Sequence, residues 1–283
     1  MQGKHVAITG PTAGIGRHSA IALAELGAEL TLFCRSADKA RVLGDEIREA
    51  GGPEPTVIIM DMADMSSVRR AAAEFLSLQR PLDVLLNNAG IVNTSRRETV
   101  DGFEETLAVN HFAPFLLTGL LLPALMEAKK ARIVMVASNA HHFVRGMGFD
   151  DMQAERGFKT FREYGRSKLA NILYARSLAS RLEGQGITVN SLHPGAVSTS
   201  LGLQNKGLVS SLLPVLLKPF FRTPEKGAES SLYLCTSDEV AATSGGYFYN
   251  CKQIPPKAWA RDEEAAAQLW DYTEKTVGFS YPT

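Results

Sequence analysis

The sequence is poor in cysteine: Cys34, Cys235 and Cys251 are all it has in 283 residues. They are odd in number, widely spaced and free of any C-x-x-C pair. That makes neither a disulfide framework nor a zinc ribbon, and it points to a reducing compartment. Excess charge is also missing, since 30 Lys+Arg balance 30 Asp+Glu; nucleic-acid-binding domains usually carry a basic surplus. No stretch reaches the ~20 apolar residues of a membrane-spanning helix. The nearest segments, 112–125 and 208–221, are broken by proline, and the second also carries Lys218; each reads as a buried helix or a substrate cover. His141, His142 and His193 have no carboxylate or cysteine at ligand spacing, so no metal site is expected. No signal peptide precedes the first apolar run. The expectation is a cytoplasmic protein, with peripheral membrane contact left open.

What is present is a rhythm of short apolar runs: His5–Thr9, Leu30–Cys34, Thr56–Met60, Asp83–Leu86, Arg132–Val136 and Ile187–Asn190. Each holds β-branched residues and none alternates apolar with polar, which is how strands buried on both faces of a parallel sheet read. Between them, Ile15–Gly27, Ala37–Ala50, Asp64–Leu78 and Tyr164–Leu182 carry apolar residues three or four apart, the helical spacing. Alternating strands and helices predict an α/β, doubly wound sheet. There is no internal repeat and no linker, so 1–283 is expected to form one domain.

Thr9-Gly10-Pro-Thr12-Ala-Gly14-Ile15-Gly16 follows the first strand and opens the first helix. In that context Gly10 allows a tight turn, Gly14 a close backbone approach to a pyrophosphate, and Gly16 close helix–strand packing, with the helix N-terminus facing the anion. At the end of the second strand, where an acidic residue would bond a ribose 2′-hydroxyl, stands Arg35. A guanidinium there suits a 2′-phosphate, with Ser36 and Arg17 as neighbours that could assist, so NADP(H) is favoured over NAD(H). Asp61, with Met62 beside it, follows the third strand and is placed at the adenine edge.

Tyr164 and Lys168 lie four apart on a helix and share a face. A neighbouring ammonium favours a phenolate, so Lys168 is expected to lower the Tyr164 pKa toward working pH for general acid/base use. Ser138 follows the fifth strand, at the end of such sheets where ligands bind, and its hydroxyl could donate to a substrate oxygen. Asn110 sits within a helical stretch, where it can kink the helix and anchor a water.

Thr9-Gly-x-x-x-Gly-x-Gly16, Asn87-Asn88-Ala89-Gly90, Asn110, Ser138, Tyr164-x-x-x-Lys168 and Pro194-Gly195 together resemble, in order and rough spacing, the short-chain dehydrogenases/reductases. The resemblance spans nearly the whole chain. It implies a Rossmann-type domain with about seven parallel strands, a cofactor half near 1–137 and a catalytic and substrate half near 138–283. It implies Tyr164 as acid/base, Lys168 on the nicotinamide ribose, Ser138 orienting the carbonyl and Asn110 holding a relay water. Asn88, Ala89 and Gly90 would line the adenosine and ribose, and Pro194, Gly195, Val197 and Thr199 the nicotinamide. Ala137-Ser-Asn-Ala-His-His142, the long stretch Phe143–Glu163, His193-Pro-Gly195 and Thr223-Pro-x-x-Gly-Ala228 are most similar to the retinol-dehydrogenase-like branch. That branch implies apolar aldehydes, ketones or alcohols as substrates.

The leucine-rich 199–223 is expected to cover the substrate, or to pack on the core or another subunit; a homodimer or homotetramer is left open. Trp259 and Trp270 read as packing residues. A non-catalytic NADP(H) sensor on the same fold is disfavoured because both Tyr164 and Lys168 are present. A sugar-nucleotide epimerase is disfavoured by the short stretch after Gly246.

Overall fold

The computed structural model describes residues 1–197 and 222–282. The apolar runs become strands β1 (His5–Thr9), β2 (Glu29–Cys34), β3 (Thr56–Ile59), β4 (Val84–Asn87), β5 (Ala131–Val136) and β6 (Ile187–Leu192). Two further strands follow, β7 (Tyr247–Tyr249) and β8 (Lys252–Gln253). They form one sheet in the order β3-β2-β1-β4-β5-β6-β7-β8. Pairing is parallel through β7; the two-residue β8 returns antiparallel, register Phe248 to Gln253. Seven parallel strands are therefore present, as expected, with one short antiparallel strand added at the edge.

Helices α1 (Gly14–Glu25), α2 (Ala37–Glu49) and α3 (Met65–Ser77) fill the first crossovers. Ser36 caps α2 through Lys39 N, and Asp64 caps α3 through Ser66 N and Ser67 N, each side chain satisfying amides that the helix leaves unpaired. Helix α4 (Glu105–Glu127) is long and apolar enough to cross a membrane by length and composition. Here it is a core helix, with Phe112, Phe115, Leu116 and Leu117 wholly buried. It contains a π-turn at Ala108–Phe112, a local widening often found at functional sites.

Helix α5 (Thr160–Arg181) begins one turn before the expected start. Helices α6 (Pro224–Thr236) and α7 (Glu263–Val277) complete the described elements. Trp270 of α7 is buried among the rings of Phe115, Tyr174 and Tyr281. The Tyr281 hydroxyl donates to Phe115 O at 2.8 Å and lies 2.6 Å from that of Tyr174. Aromatic burial thus clamps the C-terminal segment onto α4 and α5. Trp259 is the other packing tryptophan: its indole donates to His141 O at 2.9 Å, bracing the loop that follows Ser138.

Candidate active site

The strand order reverses direction between β1 and β4, and ligands of such sheets bind outside the carboxyl ends of the strands at that crevice. A cleft of about 350 Å³ opens there. It is lined by Gly10, Thr12, Gly14, Ile15, Gly16, Arg35, Asp61, Met62, Asn88, Ala89, Gly90, Ser138, Tyr164, Lys168, Pro194, Gly195 and Val197. Thr199 and the rest of residues 199–221 of the expected cover lie outside the described residues. A broader groove of about 1670 Å³ lies at the opposite end of the strands, past Lys4, Asp83, Ala131 and Ile187; none of the candidate catalytic or cofactor residues lines it.

The glycine turn is built around close contacts. Gly10 has φ +63° and Gly14 φ +52°, conformations that side chains other than glycine rarely adopt. A Cβ on Gly16 would stand 2.2 Å from Gly10 O and 2.4 Å from Asn88 Nδ2. Asn88 Nδ2 donates to both Thr9 O and Gly10 O at 3.0 Å, and Thr9 Oγ1 accepts from the amides of Asn88 and Ala89. The turn after β1 and the loop after β4 are therefore one locked unit. Ala13, at the N-cap of α1, supplies no side-chain cap and the first turn holds no acid, so the helix presents its amides and its positive dipole end to the cleft.

Arg35 is exposed at the rim. Ser36 and Lys39 line the same corner; Lys39, one helical turn beyond Arg35, was not singled out from the sequence. Arg17 is not at this corner. Its guanidinium is held by Glu46 of α2, Nε to Oε2 at 2.7 Å.

Tyr164 and Lys168 converge on the cleft from α5. Lys168 is buried and its ammonium donates to Val136 O at 3.0 Å, 5.7 Å from the centroid of the Tyr164 ring. The expected lowering of the Tyr164 pKa is not found. Burial pushes the phenol up to about 12, partly offset by the Ser138 side chain. Burial lowers Lys168 to about 8. Desolvation of each group outweighs their mutual influence at this separation.

Asn110 does not line the cleft. It is wholly buried in the π-turn of α4, where Oδ1 accepts from Ile91 N at 2.8 Å and Nδ2 donates to Ile91 O at 3.0 Å. Ile91 in turn lines the cleft. Ser138 Oγ accepts from Ala140 N at 3.1 Å, and its carbonyl lies 2.8 Å from His141 Nδ1. His193 stacks on Tyr249 with ring centroids 4.2 Å apart; desolvation lowers both His141 and His193 to about 4, so both are neutral packing groups.

A family model described as short chain dehydrogenase matches residues 4–206. The chain belongs to the short-chain dehydrogenase/reductase family. Within it the chain falls in the retinol-dehydrogenase-like branch. It is 44% identical to human retinol dehydrogenase 14 over 98% of this chain and 87% of that protein. It is 37% identical to mouse retinol dehydrogenase 12 over 99% and 88%. Among solved structures, an uncharacterized protein from Mycobacterium paratuberculosis superposes with TM-score 0.79 at 28% identity, covering 100% of this chain and 96% of that one. A Beutenbergia cavernae structure, described as an NAD(P)-dependent gluconate 5-dehydrogenase with bound NADP, gives TM-score 0.70 at 28% identity, over 87% and 94%.

As a short-chain dehydrogenase/reductase the chain is an oxidoreductase that works with a nicotinamide cofactor. The locked glycine turn and the uncapped α1 terminus fit the pyrophosphate of such a dinucleotide. Further residues of this short-chain dehydrogenase line the cleft without having been singled out from the sequence, among them Glu105 and Val109 from α4 and Val136 from β5.

Proposed function

We propose that the protein is an NADP(H)-dependent carbonyl reductase of apolar aldehydes or ketones, retinal-like compounds among them. The observation that carries this reading is the convergence of Tyr164, Lys168 and Ser138 beside the uncapped N-terminus of α1 in one cleft. NADPH, when bound, supplies the hydride; the protein's part is to orient the reactants and deliver the proton.

In this reading residues 1–137 hold the cofactor. Gly14, Ile15 and Gly16 turn backbone amides toward the pyrophosphate, and Arg35, Ser36 and Lys39 meet the 2′-phosphate. Asp61 and Met62 flank the adenine, and Asn88, Ala89 and Gly90 the adenosine ribose. Residues 138–283 hold the substrate. Lys168, Pro194, Gly195 and Val197 of this half border the nicotinamide riboside. Ser138 donates to the carbonyl oxygen, and Tyr164 gives its phenolic proton to the oxygen as negative charge develops there. With its pKa pushed up to about 12 by burial, Tyr164 is protonated at neutral pH, the form that can donate a proton. Asn110, behind the Ile91 backbone, anchors the water that reprotonates the pair.

The test is oxidation of NADPH and of NADH, followed at 340 nm, with a panel of apolar aldehydes and ketones that includes retinal. The expected result is turnover with NADPH preferred. Tight NADPH binding without turnover of any member of the panel would overturn the reading.

A further inference from the structure

We propose that Ser167 is a positioning residue that, together with the Ile91 backbone, holds the Asn110 amide with its oxygen toward the Lys168 ammonium. The inference rests on the reading of Asn110 and Lys168 given above.

Ser167 is wholly buried, and its hydroxyl has two partners. Oγ donates to Tyr164 O, one turn back on α5, at 2.8 Å. Its one proton spent there, the oxygen can only accept from any other partner. The second partner is Asn110 Nδ2, at 2.9 Å. The helix carbonyl of Tyr164 thereby decides the polarity of the serine, and the serine reinforces the orientation of the amide that the Ile91 backbone also requires.

The remaining contacts agree with that orientation. Ile91 N, a donor, meets Asn110 Oδ1, and Ile91 O, an acceptor, meets Nδ2. Turning the amide over would set its oxygen against both Ser167 Oγ and Ile91 O, and its NH2 against Ile91 N. Both Nδ2 hydrogens are used, while Oδ1 keeps one lone pair. A Cβ placed on Gly90 would stand 3.3 Å from Asn110 Oδ1 and 3.2 Å from Lys168 Nζ, so oxygen and ammonium face the same small space. An amide oxygen there attracts the ammonium and can share a water with it; an NH2 group would repel it. Ser167 thus joins Tyr164, Asn110 and Lys168 without itself touching the cleft.

The test is a double-mutant cycle with kcat, KM and NADPH affinity measured for each variant. Ser167→Ala is expected to lower kcat about tenfold, the loss of one buried hydrogen bond to a working group, with the Kd for NADPH held within about twofold. In an Asn110→Ala background the same change should lower kcat by less than about twofold, since residues that act through one another are not additive. Ser167→Thr, which keeps the hydroxyl, should recover most of kcat, and Ser167→Cys, a weak acceptor of similar size, should not. An unchanged kcat in Ser167→Ala, or the same tenfold loss in both backgrounds, would overturn the proposal.

A wild-type enzyme inert toward every carbonyl would sink the catalytic reading and leave the amide to be read by NMR. The Asn110 side-chain NH2 resonances, assigned by their loss in Asn110→Asp, should resist exchange in the wild type and shift in Ser167→Ala. Rapid exchange, or no shift, would refute the positioning role.

Discussion

Replacing Gly16 by alanine strikes the locked turn at its tightest point. The new methyl would sit 2.2 Å from Gly10 O and 2.4 Å from Asn88 Nδ2. Ordinary contact begins near 3.4 Å, so an overlap of about 1 Å must be relieved by groups that hydrogen-bond each other at 3.0 Å. Neither is the free end of a flexible chain: one is backbone, and the other also holds Thr9 O. Either α1 moves out or the turn opens. Overpacking of this kind costs about 1–3 kcal/mol, and loss of the Asn88 bond adds about 1 kcal/mol. At roughly 2–4 °C per kcal/mol for a chain of this size, Tm should fall by about 4–16 °C. A shift of the α1 amides by about 1 Å carries them out of hydrogen-bond range of a phosphate, so NADPH affinity should fall at least tenfold, roughly the worth of one charge-assisted bond. Scanning fluorimetry and a fluorescence titration with NADPH read both effects. Gly146→Ala is the control, because its Cβ would meet nothing within 4 Å. Wild-type Tm and affinity in Gly16→Ala would refute the reasoning.

Arg35→Glu places a carboxylate where the added phosphate is read, and should lower kcat/KM with NADPH by on the order of 100-fold while sparing NADH; an unchanged NADPH/NADH ratio would remove Arg35 from that role. Acid should destabilise the fold. Burial lowers His111 to about 3 and His141 and His193 to about 4 from an ordinary 6.5. Below pH 6.5 the unfolded chain takes up protons that the folded one refuses, so stability present above 6.5 is lost as pH falls toward 4. Each group contributes on the order of 3 kcal/mol, and a Tm that stays level from pH 7 to 4.5 would contradict this. Alcohol oxidation needs the Tyr164 phenolate, so its rate should climb with pH from 7 to 10, while carbonyl reduction holds level near neutrality; an oxidation plateau near pH 7 would show that the phenol is not held high during turnover.

The sheet was legible because strands buried on both faces leave unbroken apolar runs, and β1 to β6 begin or end within two residues of those runs. Tyr247–Tyr249 is too short to show a period, and Lys252–Gln253 carries no apolar residue, so the sheet edge was visible only through family resemblance or not at all. The glycine turn was legible because its chemistry is local. What spacing does not carry is contact across the fold. Arg17 meets Glu46, 29 residues away, Asn110 meets Ser167, 57 away, and Trp259 meets the carbonyl of His141, 118 away. Burial is equally invisible in a four-residue spacing, which is why Tyr164 beside Lys168 read as a lowered phenol whereas desolvation raises it.

The most direct test of the account is Tyr164→Phe, which removes the proton donor and keeps the ring. The account predicts NADPH binding close to wild type, an unchanged melting temperature, and loss of aldehyde reduction by at least about 100-fold, the scale of general acid catalysis. Reduction at the wild-type rate by that variant would contradict it.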